Sequence, residues 1–458
     1  MWISCKIIIV EPEDAMFKRK IYNKLLEWKT QEDGNTALLI EGARRIGKST
    51  IAEEFGKNEY KSYILIDFSI APKEITALFE DISDLDYIFL RLQAQYKTEL
   101  VERQSLIIFD EVQKCPLARQ AIKHLVKDHR YDYIETGSLI SIRRNVKDIV
   151  IPSEERKMQM YPMDYEEFLW ALGDNVSYSM TKKFFDQRKS LGQDLNRKYL
   201  RLFRLYMLVG GMPKAINEYI TTKNLRKVDD IKRDILNLYE EDFMKIDSTG
   251  RAALLFKSIP AQLSNNAHRY QITSVLGATS RAADNLSLIA EMMDSKTVLV
   301  SYNVNDPNVG LSSNVDLTKF KMFMCDTGLF VTLMFQDRDY TENEIYDKLL
   351  SDKLPANLGY LYENVVAQML TANGNSLFYH TFETATSSHY YEVDFLISEG
   401  SRICPIEVKS SGYKTHASLD AFCEKFSSRI LHKYLVYTKD FQKEKDTLCL
   451  PVYMVPFL

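Results

Sequence analysis

Ten consecutive residues, Glu41-Gly42-Ala43-Arg44-Arg45-Ile46-Gly47-Lys48-Ser49-Thr50, restrict the fold of this chain more than any other stretch. They fit the pattern G-x-x-x-x-G-K-[ST] at Gly42, Gly47, Lys48 and Ser49. Glycines keep side chains out of such a turn, so successive backbone N–H groups can face a single anion. Ala37-Leu38-Leu39-Ile40 before it predicts a short buried strand, and Thr50 to Phe55 predicts the start of a helix whose N-terminus favours negative charge. Strand, glycine turn and helix together predict a phosphate cradle made by Gly42, Ala43, Arg44, Arg45, Ile46, Gly47, Lys48, Ser49 and Thr50. Lys48 would meet the phosphate charge, and the Ser49 hydroxyl would bind Mg²⁺.

The next strands say what the cradle is for. Ser62 to Phe68 is rich in β-branched and aromatic residues, and Ser105-Leu106-Ile107-Ile108-Phe109-Asp110-Glu111 is an apolar strand ending in two carboxylates. Two tasks a few ångströms apart need such a pair. Asp110 is placed to hold Mg²⁺, and Glu111 to take a proton from the water that attacks the γ-phosphate. A fourth strand, Tyr131 to Thr136, runs into Gly137-Ser138, where Thr136 or Ser138 could sense that phosphate. Arg143, Arg144 and Arg156 are the arginines available to stabilise transition-state charge. Ahead of the cradle, Phe17 to Trp28 predicts a helix with Lys18, Arg19, Lys20 and Lys24 on a solvated basic face.

GARRIGKS, IIFDEVQ, ETGS and Met160-Tyr161-Pro162-Met163-Asp164-Tyr165-Glu166-Glu167-Phe168-Leu169, with the later Gly210-Gly211-Met212-Pro213 and Asp326-Thr327-Gly328-Leu329, carry a resemblance over nearly the whole chain. The sequence resembles the prokaryotic AAA-superfamily ATPases that carry a C-terminal domain of unknown function related to restriction endonucleases. The resemblance implies ATP as ligand, hydrolysis of ATP, and a nuclease-like domain at the C-terminus. Arg45 stands where that group more often has Gln, and Arg156 lacks the glycine that usually precedes the arginine there.

Between these ends the pattern turns helical. Arg197, Arg201 and Arg204 fall on one face of a helix from Leu195 to Leu208, and Gly210-Gly211 ends it. Leu254 to Leu263, Ile272 to Leu276 and Arg281 to Met293 predict three short helices; the strands Thr297 to Tyr302 and Phe320 to Met324 follow, completing a winged-helix pattern. Such a domain in AAA ATPases binds DNA in a major groove or acts as a lid over the nucleotide; the third helix mixes Arg281, Asn285 and Ser287 with Asp284, Glu291 and Asp294, which weakens the first alternative without removing it.

In the last stretch, a helix from Leu361 to Leu370 carries Glu363, one strand holds Glu392-Val393-Asp394, and the next holds Glu407-Val408-Lys409. Strand alternation puts Glu407 and Lys409 on one face. This is the D…E-x-K constellation of metal-dependent nucleases: Glu363, Asp394 and Glu407 would bind Mg²⁺, and Lys409 would activate the attacking water.

The expected architecture is α/β: a P-loop NTPase parallel-sheet domain at 1–190, a helical winged-helix-like domain at 191–345, and a PD-(D/E)XK nuclease-like α/β domain at 346–458. A length of 458 residues accommodates three such units. The formal charge of -4 gives no bulk attraction to nucleic acid, so any DNA contact must be a local patch. Six scattered cysteines, with no C-x-x-C pair and no His at ligand spacing, give no zinc-ligand pattern and predict reduced thiols. The apolar run at Ile7 to Val10 is too short for a leader, and no membrane span is expected, which predicts a cytoplasmic protein. Two functions fit. One is an ATPase coupled to DNA cleavage; the other is a nucleotide-driven switch with a catalytically silent nuclease-like domain. ATP, DNA and a second copy of the chain are the candidate partners.

Overall fold

The computed structural model describes residues 16–137, 153–265, 267–337, 343–351, 359–383, 390–410 and 416–458. The first sheet contains β1 (Ala37–Glu41), β2 (Ser62–Asp67), β3 (Ser105–Asp110), β4 (Asp132–Thr136) and β5 (Glu155–Gln159), all parallel, in the order β2-β3-β4-β1-β5. Every residue of β1, β3 and β4 is buried. Parallel strands covered on both faces read as unbroken apolar runs for this reason. The strand beside the acidic β3 is β4, which lies between β3 and β1 and so brings Thr136 next to Asp110 and the glycine turn.

The helices Gln193–Val209, Pro213–Thr222, Leu225–Ile246 and Thr327–Met334 follow, and their core is continuous with that of the first sheet. Three of the motifs quoted above meet here. The Met163 N–H donates to Gly211 O at 2.7 Å. Buried Asp326 accepts the Gly211 N–H on Oδ2 at 2.5 Å and caps the Thr327–Met334 helix by accepting the Leu329 N–H on Oδ1 at 2.9 Å. The chains run so close that only glycine fits. A Cβ on Gly211 would overlap the Met163 carbonyl, and one on Gly328 would lie 2.5 Å from Gly210 Cα.

The second sheet has eight strands in the order β12-β13-β11-β10-β9-β8-β6-β7, drawn from β6 (Val298–Val304), β7 (Val315–Met324), β8 (Phe378–Glu383), β9 (Tyr390–Glu399), β10 (Arg402–Val408), β11 (Lys433–Tyr437), β12 (Gln442–Glu444) and β13 (Thr447–Pro451). The winged-helix expectation is corrected here. The hairpin read as a wing, β6 and β7, joins the C-terminal sheet through parallel pairing of Tyr302 and Asn303 with Phe378 and Tyr379. The expected division at 345/346 therefore falls within one sheet. The third helix is also shorter than predicted, Leu286–Asp294 after a 3₁₀ turn. Alternating apolar residues specify a strand but leave its neighbour open, and an apolar edge on β8 is covered by β6.

From the Gly359–Ala372 helix onward the order is helix, three antiparallel strands, helix Ala417–Lys425, and the parallel strand β11. Asn364 on the first of these helices accepts the Met324 N–H at 2.8 Å, and Gln368 accepts the Thr327 N–H at 2.8 Å while donating to the Tyr206 hydroxyl at 2.9 Å. The same joint thus reaches the C-terminal sheet. Among the described residues no helix is long and apolar enough to cross a membrane.

Overpacking this joint is expected to be costly. Gly328→Ala should lower stability by about 1–3 kcal/mol, whereas Gly359→Ala, whose Cβ among the described residues meets Ser410 Oγ at 4.0 Å, should stay within about 0.5 kcal/mol of the parent. Urea unfolding of the two variants side by side measures the difference.

Candidate functional site

The glycine turn has the predicted geometry. A Cβ on Gly42 would overlap the Met160 carbonyl, and Gly47, at φ +93°, turns the chain into the Lys48–Glu59 helix. Lys48 Nζ folds back over its own loop and donates to Gly42 O at 3.0 Å and Ala43 O at 2.8 Å. Ser49 Oγ donates to Asp110 Oδ1 at 2.7 Å, and Thr136 Oγ1 donates to the same oxygen. Glu111 sits at φ +52°, directly after β3, with its Oε2 accepting from Gln113 Nε2. Lys48, Ser49, Asp110, Glu111 and Thr136 are therefore brought together. Arg45 is exposed at φ +69° on the crest of the loop, and Thr50 is exposed on the first turn of the helix. Ser138, Arg143 and Arg144 lie outside the described residues. Arg156 stands on β5, two-thirds exposed and paired with Glu32 at 2.6 Å.

Several residues that hold the loop were not legible as such. Arg19, read as part of a solvated face, is 6% exposed; its Nη1 donates to Ile46 O at 2.8 Å, its Nη2 to Tyr161 O at 2.7 Å, and it pairs with Glu167 at 3.2 Å. Its neighbour Lys20 bridges Asp164 and Glu166. The acidic run Asp164 to Glu167 was the available signal, because a basic helix start needs an acidic partner when buried. From the Leu225–Ile246 helix, the Tyr239 hydroxyl donates to Arg44 O at 2.9 Å and Asp242 pairs with Arg44 at 3.3 Å. Nothing in the sequence marks that contact, which spans 195 residues. A cavity of about 550 Å³ opens beside the loop, lined by Met16, Phe17, Thr50, Pro213, Lys214 and Asn217 among others.

The C-terminal residues also gather, but in a different state of charge. Glu407 Oε1 pairs with Lys409 at 2.6 Å while its Oε2 accepts the Leu419 N–H at 3.1 Å. Asp394 Oδ2 accepts the Val408 N–H at 2.7 Å. Glu363 lies 3.7 Å from Lys321 Nζ, and Lys321 also donates to Glu392, whose other oxygen meets His268 Nδ1 at 2.8 Å. Burial, reinforced by the Glu363 carboxyl, pushes Asp394 well above the ordinary carboxylate range. Against the upward push of burial, Lys321 and His268 draw Glu392 down to about 2. Neither Lys321 nor Glu392 was singled out from the sequence as a member of this site. A lysine inside the apolar run Phe320 to Met324 was the signal. Among the described residues no three of His, Cys, Asp or Glu converge to hold a metal ion. Glu363, Asp394 and Glu407, engaged as they are, do not fit the Mg²⁺ expected of them. Arg204 also departs from the expected stripe: it is buried, facing the Tyr362 hydroxyl at 3.4 Å, while Arg197 and Arg201 stay exposed.

Family models match three successive stretches: an AAA domain over residues 34–169, a domain of unknown function (DUF8612) over 200–340, and a second domain of unknown function (DUF4143) over 358–455. Residues 34–169 are an AAA-type ATPase domain. Among solved structures, the Thermotoga maritima RuvB Holliday junction branch migration motor is 13% identical, covering 62% of this chain and 89% of that one at a TM-score of 0.29. The Aeropyrum pernix ORC2 protein in its ADP form is 11% identical over 76% of this chain and 97% of that one, also at 0.29. No curated protein matches the chain in sequence.

In the AAA domain, burial brings the Lys48 ammonium down from the ordinary 10.5 to about 8, against the pull of Glu111 and Asp110. A bound phosphate chain would raise it again. Binding should then take up a proton between about pH 8 and pH 10, and affinity should fall as pH rises through 8. Calorimetric titration with ATP at pH 8.5 in buffers of different ionisation enthalpy measures the uptake; equal heats in all buffers would contradict it.

Proposed function

We propose that the protein hydrolyses ATP and uses the occupancy of the phosphate loop as a switch acting on its helical and C-terminal parts. The observation that carries this reading is the pair of contacts from the Leu225–Ile246 helix to Arg44, one from the Tyr239 hydroxyl to the loop backbone and one from Asp242 to the side chain. A phosphate chain seated on the loop must displace Lys48 from Gly42 O and Ala43 O, and any shift of those carbonyls is felt one residue later by Tyr239. The same helix carries Lys232, which donates to Gly328 O in the Asp326 joint at 3.2 Å.

The chemistry follows from the residues in place. Loop amides and Lys48 bind the phosphates, and Ser49 with Asp110 would hold Mg²⁺, which offsets charge on the phosphate oxygens when bound. Glu111, steadied by Gln113, accepts the proton of the attacking water. Thr136 fixes the orientation of Asp110. The neighbouring cavity has the volume for a nucleoside.

A second reading, ATPase coupled to DNA cleavage, is favoured by one observation: Glu363, Asp394, Glu407 and Lys409 lie in one cluster framed by the expected helix and strands. The carboxylates are engaged by protein groups, so the switch is the reading we adopt.

Lys48→Ala should abolish ATP binding, and Glu111→Gln should retain binding while slowing phosphate release by about 10²–10⁴-fold; equilibrium titration and a phosphate-release assay separate the two. Tyr239→Phe should leave nucleotide affinity within about threefold but remove the ATP-dependent change in hydrogen exchange of the Leu225–Ile246 helix. An unchanged exchange pattern in that variant would sink the switch.

A further inference from the structure

We propose that Lys321 is a protein-supplied cation in the C-terminal acidic cluster, seated between Glu392 and Glu363 so that the cluster is complete without a divalent metal ion. This goes beyond the ATPase reading and does not depend on it. Lys321 lies on β7, between buried Phe320 and Met322, with its side chain 8% exposed. Its ammonium donates to Glu392, lies 3.7 Å from Glu363 and stands 5.5 Å from the centre of the Tyr379 ring. The other carboxylates are engaged as well: Asp394 by the Val408 N–H, and Glu407 by Lys409 and the Leu419 N–H.

Mg²⁺ demands near-octahedral oxygens at about 2.1 Å and gives up its waters reluctantly. To enter, it would have to expel an ammonium whose strand is fixed by pairing of Lys321 with Ser301 and by the packing of Phe323 on Phe395. An expelled Lys321 would lose Glu392 and Glu363 from a position flanked by buried Phe320 and Met322, and a buried cation without partners is far costlier than a paired one. The cation comes from the 200–340 segment and the carboxylates from 358–455. The contact therefore also fastens the β6–β7 hairpin to β9 and to the Gly359–Ala372 helix.

The test is Mn²⁺ binding to the full chain, followed by the loss of the free-ion EPR signal, with nucleotide omitted so that the phosphate loop does not report. Wild type is expected to show no saturable site below about 1 mM. Lys321→Met should gain one site, at least about tenfold tighter, which Lys321→Met/Asp394→Asn should lose again. A wild-type site that Asp394→Asn removes would overturn the proposal, and so would a folded Lys321→Met that still takes up no metal. If Lys321→Met does not fold, wild type against Asp394→Asn decides: a site lost in the variant refutes, and no site in either supports.

Discussion

The carboxylate of Asp326 is the interaction on which the arrangement of the molecule depends. It is completely buried, and burial pushes its pKa up while the N–H groups of Gly211, Leu329 and Gly328 pull it down. A buried acid of this kind is tolerated only where several donors converge. That convergence forces Gly210, Gly211 and Gly328 to lie against one another, with Met163 of the AAA domain closing the turn. From there Thr327 reaches Gln368, and Gln368 reaches Tyr206. One side chain thereby sets the relation of the first sheet, the helices and the second sheet.

The two charged centres solve opposite problems. At the phosphate loop the Lys48 ammonium donates to the carbonyls of Gly42 and Ala43, and burial weakens its hold on a proton against the pull of Glu111 and Asp110. Such a site is prepared for an anion. At the C-terminal cluster the carboxylates outnumber the cations, yet Lys321 and Lys409 supply ammonium groups at hydrogen-bond or ion-pair distance. One centre seats its cation on backbone carbonyls; the other sets cations of its own against its carboxylates.

Legibility followed the range of the interactions. The loop from Gly42 to Ser49 could be read because its function depends on backbone shape and on residues adjacent in the chain. Asp110 could be read, with Thr136 or Ser138 left open beside it, because parallel strands bring their carboxyl ends to one edge of the sheet. Arg19 and Arg204 were misplaced for a common reason. A basic residue on an amphipathic helix is usually solvated, and only a distant partner, Glu167 or Tyr362, tells the buried exception apart. The β6–β7 hairpin had the right strands in the right order, but its partner β8 lies more than seventy residues on, beyond any local pattern.

By itself the sequence determined the elements and the local chemistry: apolar periodicity specifies strands and helices, and the glycine spacing specifies a turn that exposes amides. Tertiary structure alone decided which charges meet. Whether Lys321 faces solvent or Glu392, and whether Tyr239 touches the loop, depends on contacts between residues far apart in the chain. The physical reason is that Coulomb and hydrogen-bond energies act over a few ångströms in space, and folding, not sequence proximity, sets those distances.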